Sequence, residues 1–385
     1  MNHIPLNLPG ENDADDSAPG VVERLVREAE EAGASDLHLQ MTGEGASVSL
    51  RIDGVMCSRG DLPQSLAERV FGRIKFLARL KTYQESLPQD GRIDKTDLPA
   101  SSEIRVATYP TVTGEKIVLR LFQKRDARKI GELEFPLDIQ AELHSFLRRS
   151  SGLLLLTGPA GSGKTTTIYA CLHELVALGG KHIITVEDPV EQILPGVMQT
   201  ETDEALGLDF GKAARHLLRQ DPQVLVIGEI RDEETANVAV RAALTGHLVI
   251  STLHAGSCKG VLQRLSGLCR EFSAAAASLE LILNQRLLRR CCAECQGRGC
   301  AKCFHTGYRG RVPLVESLRL DEDLRTQIIR GDFAQATAHP DLWARAQALA
   351  EEGITNQKEI QRLLTPPDAA NAPTLHAPTF PATPP

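Results

Sequence analysis

Two kinds of hydrophobic spacing divide the chain. In the first third, apolar residues alternate with polar ones or recur at helical intervals. VVERLVREAEEAGA (21–34) places Val21, Val22, Leu25, Val26 and Ala29 on one side of a helix. DLHLQM and SVSLRIDG alternate about a Gly-rich break, which predicts a hairpin. A second helical stretch covers 65–81, and EIRVATYP and KIVLRLF follow as strands joined by the turn-like TVTGE. Residues 20–123 are thus expected to form a small α+β domain on an antiparallel sheet. The charged segment 124–136 is expected to be a linker, and 137–365 a second domain. There the alternation ends. GLLLLTGP, HIITVED, VLVIGEI and HLVISTL are continuous apolar runs separated by helical patterns. That is the signature of parallel strands covered on both faces, an α/β architecture. The polar, acidic residues 1–19 and the tail 366–385, with 7 Pro, are expected to be disordered.

Composition narrows the function. With 385 residues and 42% hydrophobic content, the chain can bury two cores. The net charge of -7 argues against a protein that coats nucleic acid, and 4% aromatics against a base-stacking platform. No apolar run reaches about 18 residues and no basic-then-apolar leader is present, so a cytosolic chain is expected.

The chemistry is concentrated in a few segments. Gly158-Pro159-Ala160-Gly161-Ser162-Gly163-Lys164-Thr165 fits G-x-x-x-x-G-K-[ST] between a strand and a helix that opens with Thr165 and Thr166. Glycines let backbone N–H groups curl around phosphates, and the helix N-terminus adds positive potential. Lys164 is expected to reach the β- and γ-phosphates of ATP, and Thr165 to ligate Mg²⁺. The run VLVIG ends in Glu229, where a carboxylate at a parallel strand's C-terminal end faces the ligand crevice and can hold Mg²⁺. Glu187, Asp188 and Glu191 follow another strand and can orient water or accept a proton. His247 and His254 flank the strand HLVISTL and are candidate γ-phosphate sensors.

Of 9 Cys, five lie between 291 and 303. Cys292-x₂-Cys295 and Cys300-x₂-Cys303 have the spacing of a closed four-thiolate Zn²⁺ site. Cys291 is the spare, and Cys57, Cys171, Cys258 and Cys269 read as small hydrophobes. Residues 281–311 carry a net +6 on Arg286, Arg289, Arg290, Arg298, Lys302, Arg309 and Arg311 against Glu294. The thiolate site offsets part of that charge, and the remainder can face a partner, lipid headgroups or ATP.

In the order GPAGSGKTTT, ITVEDPVE, LRQDPQVLVIGEIRDEETA and TGHLVISTLHA, the chain resembles the secretion-ATPase superfamily. Its members power type II secretion, type IV pilus assembly and retraction, and DNA uptake. The resemblance spans about 20–364 and implies a RecA-like P-loop core with a smaller, PAS-like N-terminal α+β domain. It implies that Arg105 and Arg120, in RVATYPTVTGEKIVLRLF, approach the phosphates, and that Arg286, in NQRLLRR, lies near the nucleotide. Glu187 would activate water and Glu229 hold Mg²⁺, or the two roles are exchanged. CFHTGYRGRVPLVE resembles the ending of the family's tetracysteine element, although only QGRG separates the two pairs here. The resemblance further implies a homo-hexamer at the cytoplasmic face of the inner membrane. It would reach the membrane through a platform protein, with no nucleic acid expected. The alternatives are a competence or pilus-retraction motor, a nucleic-acid-stimulated motor on the same core, and a non-hydrolysing scaffold.

Overall fold

A computed structural model describes residues 17–98, 100, 103–121 and 128–364. The expected N-terminal tail to residue 16, most of the first half of the linker and the tail from 365 lie outside them. Packing divides the chain into two units, the first of residues up to Arg128 with Arg289–Arg311, the second of Lys129–Leu288 with the rest.

In the first unit, α1 (Ala18–Glu31) begins earlier than its apolar spacing suggested, because Ser17 caps it by accepting from the Gly20 N–H at 3.3 Å. Its buried face includes the five residues expected from spacing. Six strands follow in chain order: β1 (Ala34–Met41), β2 (Gly45–Ile52), β3 (Val55–Pro63), β4 (Gln89–Ile93), β5 (Ile104–Thr111) and β6 (Gly114–Leu121), with α2 (Gln64–Leu77) after β3. They pair antiparallel in the order β3-β2-β1-β6-β5-β4. Asp53 and Gly54, at φ 48° and 82°, make the tight β2–β3 turn. Strand β3 escapes a period-two pattern because Arg59 and Gly60 are both buried and a register shift interrupts its pairing with β2. One face of the sheet buries Leu37, Leu39, Val48, Leu50, Ile117 and Leu119 against α1 and α2.

Residues 289–311 group with this unit although they are distant from it in sequence. Gly310 N–H donates to Asp53 Oδ2 at 2.8 Å. Phe304 packs against the first unit's core beneath the Arg59 guanidinium, 5.4 Å from ring centroid to carbon.

The second sheet comprises β7 (Gly152–Thr157), β8 (Ile183–Glu187), β9 (Val197–Glu201), β10 (Val224–Ile227), β11 (Leu248–Thr252), β12 (Leu279–Cys291) and β13 (Tyr308–Arg319), of which all but 289–291 and 308–311 belong to the second unit. The sheet order is β13-β12-β7-β11-β10-β8-β9, and β12 through β9 pair in parallel. Every residue of β7, β8, β10 and β11 is buried, as continuous apolar runs require. Alternate residues serve the two faces. Leu153, Leu155, Leu225 and Ile227 pack with α5 (Phe210–Leu217), α6 (Glu233–Leu244) and α7 (Cys258–Leu268). Leu154, Leu156, Val224 and Val226 pack with α3 (Leu137–Leu147) and α4 (Lys164–Leu178). The remaining helices are α8 (Phe272–Ser278), α9 (Glu322–Ile329), α10 (Leu342–Glu351) and α11 (Gln357–Leu363). The second half of the expected linker is part of this core: Ile130, Leu133 and Phe135 are buried beside α3 and α4.

Candidate nucleotide site and cysteine centre

The loop from Gly158 to Gly163 lies between the C-terminal end of β7 and the first residue of α4. Gly158 and Gly163 adopt φ 138° and 92°, and both positions are closed to a side chain. A Cβ on Gly158 would lie 2.2 Å from Gln285 O, and one on Gly163 2.8 Å from Gln285 Nε2. Gln285 on β12 therefore forms the floor of the loop, and its Oε1 accepts from Thr167 Oγ1 at 2.9 Å. Ser162 Oγ is buried and has no partner among the described residues. Lys164 Nζ donates to the carbonyls of Gly158 and Pro159 at 2.9 and 3.0 Å. Burial lowers the Lys164 pKa, Glu229 opposes that shift and Arg286 adds to it. Thr165 and Thr166 are half-exposed in the first turn of α4. Positive-φ glycines, a lysine ammonium and an orphan hydroxyl at a helix N-terminus fit a phosphate chain.

Two carboxylates lie at the same edge of the sheet. Glu229 follows β10, and its oxygens meet Arg231 Nε at 2.8 Å and His254 Nε2 at 3.0 Å. Gly228 precedes it because a Cβ there would be 2.9 Å from the Phe210 ring and 3.2 Å from Val186 O. Arg231 lies over that ring at 5.4 Å. Glu187 ends β8 and is 8% exposed. Its Oε2 accepts from the Tyr169 hydroxyl at 2.6 Å, and its Oε1 from Thr185 Oγ1 at 2.6 Å and Gln199 Nε2 at 3.1 Å. Arg286 donates to Asn284 Oδ1 and Gly256 O, both at 2.8 Å, beside Gly158. Burial lowers its pKa, against the opposing charge of Glu316.

Not every candidate joins this cluster. His247 stands at the start of β11, next to Gly152 at the start of β7, and its Nδ1 lies 2.9 Å from Ala242 O. Five residues of strand, about 16 Å, carry the chain from there to the crevice edge. Thus His254 is at the site and His247 serves the end of α6. In the first unit, Arg105 and Arg120 are directly opposed on β5 and β6, and Arg92 on β4 opposes Arg105. With Asp90 they line a groove of about 560 Å³. Arg120 Nε donates to Asp36 Oδ1 at 3.0 Å, and its side chain is 66% exposed. Tyr169, Gln199, Arg231, Gln285 and Asp36 were not anticipated. The only sequence signal was their nearness to the motifs.

The four sulfurs of Cys292, Cys295, Cys300 and Cys303 lie within 4.8 Å of one another. Three of the separations are 3.9, 3.8 and 3.8 Å. A tetrahedron with Zn–S bonds of about 2.3 Å has edges of about 3.8 Å, so the set has the size of a zinc site. Backbone N–H groups of Gly299, Cys300 and Gly307 point at the sulfurs at 3.1 to 3.3 Å, which stabilises thiolates. Cys291 is half-exposed and outside the set. Burial pushes the Cys171 thiol up to about 12, with Glu174 adding to the shift, as suits an inert packing residue.

Residues 11–362 match the family described as type II/IV secretion system protein. The chain belongs to that family. The secretion ATPase is 35% identical over 389 residues to the type II secretion system protein E of Klebsiella pneumoniae, covering 93% of this chain and 78% of that one. It is 35% identical over 387 residues to the type IV pilus assembly ATPase PilB of Thermus thermophilus, covering 93% of this chain and 43% of that protein. The crystal structure of the pilus retraction motor PilT with bound ADP superposes with a TM-score of 0.64 at 26% identity, over 90% of this chain and 98% of that one. The expected RecA-like core and the expected ATPase activity both stand. No described helix is long and apolar enough to cross a membrane.

Proposed function

We propose that this secretion ATPase is a Mg²⁺-dependent motor subunit for type II secretion or type IV pilus assembly. It would work as a homo-hexamer against an inner-membrane platform protein, at the cytoplasmic face and without entering the bilayer. One observation carries the proposal: Lys164, Glu229 and His254 converge at the C-terminal edge of a parallel sheet, in a chain related to secretion and pilus ATPases.

In the proposed cycle the phosphates lie on the Gly158–Gly163 amides, and Lys164 leaves its two loop carbonyls to neutralise them. Glu187 takes a proton from water as the water oxygen attacks the γ-phosphorus. The bond from that phosphorus to the β–γ bridging oxygen breaks, giving ADP and phosphate. Three donors occupy three of about four acceptor positions on Glu187, leaving one for water. Thr165 and Glu229 would hold Mg²⁺, which spreads phosphate charge when bound. Arg231 and His254 orient Glu229 for this. Arg120, pinned through Nε, keeps its terminal amino groups for phosphate oxygens, and Arg105 stands opposite. The cysteine centre would hold one Zn²⁺.

The test is ATP hydrolysis by the full chain, with Lys164→Ala and Glu187→Gln as controls. Turnover is expected in the wild type, absent in both variants and unaltered by DNA. Wild-type turnover in Lys164→Ala would refute the proposal. Stimulation by DNA would favour the nucleic-acid motor. Loss of pilus retraction with normal assembly in cells lacking the protein would favour the retraction motor.

A further inference from the structure

The hydroxyl of Tyr169 is the meeting point of three polar groups. It donates to Glu187 Oε2 at 2.6 Å and accepts from the backbone N–H groups of Glu191 and Gln192, each at 3.2 Å. Tyr169 is 7% exposed and lies on α4, the helix whose first residue is Lys164. The five-residue step from Lys164 to Tyr169 is about 7.5 Å of helix rise, so one rigid element carries both the phosphate cation and this hydroxyl. Burial, with the bond to Glu187, pushes the Tyr169 pKa well above its ordinary range, so it remains a donor at working pH.

Strand pairing supplies the other side of the cage. Thr185 and Glu187 are two apart on β8 and share a face, and Gln199 on β9 is the cross-strand partner of Thr185. Gln199 also donates to Gln192 O at 3.0 Å and accepts from Leu194 N–H at 2.6 Å. The segment after Glu187 is therefore tied down by Tyr169 and Gln199, two of the three side chains that hold the carboxylate.

We infer that Tyr169 is a positioning residue for Glu187, fixing the carboxylate to the phosphate-binding helix, with Thr185 and Gln199 holding its second oxygen. This rests on the proposed role of Glu187 as the base. A ligand-binding role is not assigned to Tyr169, which acts through the carboxylate. Because helix and carboxylate are joined, the base keeps its distance from a phosphate chain seated on the N-terminus of α4. A base misplaced by about 1 Å can lose about a hundredfold in rate.

The experiment is steady-state and single-turnover ATP hydrolysis by the full chain as wild type, Tyr169→Phe, Glu187→Gln and the double variant. Tyr169→Phe is expected to lower kcat about ten- to a hundredfold, with KM for ATP changed less than about threefold. In the Glu187→Gln background it should add no further loss, because the two side chains act as a unit. Unchanged kcat in Tyr169→Phe with an inactive Glu187→Gln overturns the positioning role and leaves the base in place. Wild-type turnover in Glu187→Gln removes the base itself. A kcat loss matched by an equal rise in KM marks a general disturbance of the site and also overturns the inference. If Tyr169→Phe does not fold, Thr185→Val removes the short donor to the other oxygen. It carries the same kcat expectation, and unchanged turnover there overturns the cage.

Discussion

The ion pair of Lys75 and Glu115 allows a sharp test of how the first unit is held together. Lys75 is 1% exposed and Glu115 5%, and Nζ lies 3.0 and 3.1 Å from the two carboxylate oxygens. The same nitrogen donates to Gln84 O at 3.0 Å, joining α2, the loop before β4 and the start of β6. At that distance and an effective dielectric of about 20, the attraction is about 5 kcal/mol. Desolvation offsets most of it while both partners are present. Lys75→Met leaves the carboxylate buried and alone, and should cost about 3–5 kcal/mol. Lys75→Met with Glu115→Leu should recover most of that loss, because neither charge then needs water. The single Trp, Trp343, lies in the second unit and cannot report this change. Hydrogen exchange of peptides from β1 and β6 can. For exchange through unfolding of the first unit, 3–5 kcal/mol raises the rates by about two to nearly four orders of magnitude. The reasoning fails if Lys75→Met changes exchange less than about fivefold, or if the double variant is as labile as the single one.

Other expectations are simpler. The purified chain should contain about one Zn²⁺, and chelation should raise exchange across 292–303 and at the Gly310 amide; metal analysis finding none removes the zinc centre. Gly228→Ala should destabilise by about 1–3 kcal/mol, because its Cβ meets the Phe210 ring and Val186 O, and should displace Glu229. An unchanged melting temperature and turnover would show that the strand end has slack. Arg120→Ala should lower kcat by about three orders of magnitude with little change in melting temperature, since its side chain is two-thirds exposed. Wild-type turnover there would confine the arginine to sheet packing.

Much of the fold was legible because its patterns are local. The continuous runs of β7, β8, β10 and β11 announce strands buried on both faces, and the spacing of α1 names its buried side. The loop from Gly158 to Lys164 is legible because phosphate binding requires a contiguous backbone. What was not legible depends on register. Gln199 reaches Glu187 only because β9 pairs with β8, and Gln285 reaches the loop only because β12 lies beside β7. His247 and His254 look equivalent in sequence. The direction of β11 separates them, placing one at the crevice and the other at the far edge. Strand β3 was missed because Arg59 and Gly60 break its alternation, although Arg59 is buried by pairing with Glu28 at 2.8 Å.

The cysteine segment is sewn into the first unit although 160 residues separate it from the nearest other part of that unit. The two pieces are therefore interdependent gene segments, and moving one without the other would leave Asp53 and Phe304 without their counterparts. A protease that cut the chain between 121 and 128 would not release the first unit as a free fragment. Both products would travel together through a column until the 289–311 segment was itself detached. Such a nicked but undivided protein would have a discontinuous domain as its clasp.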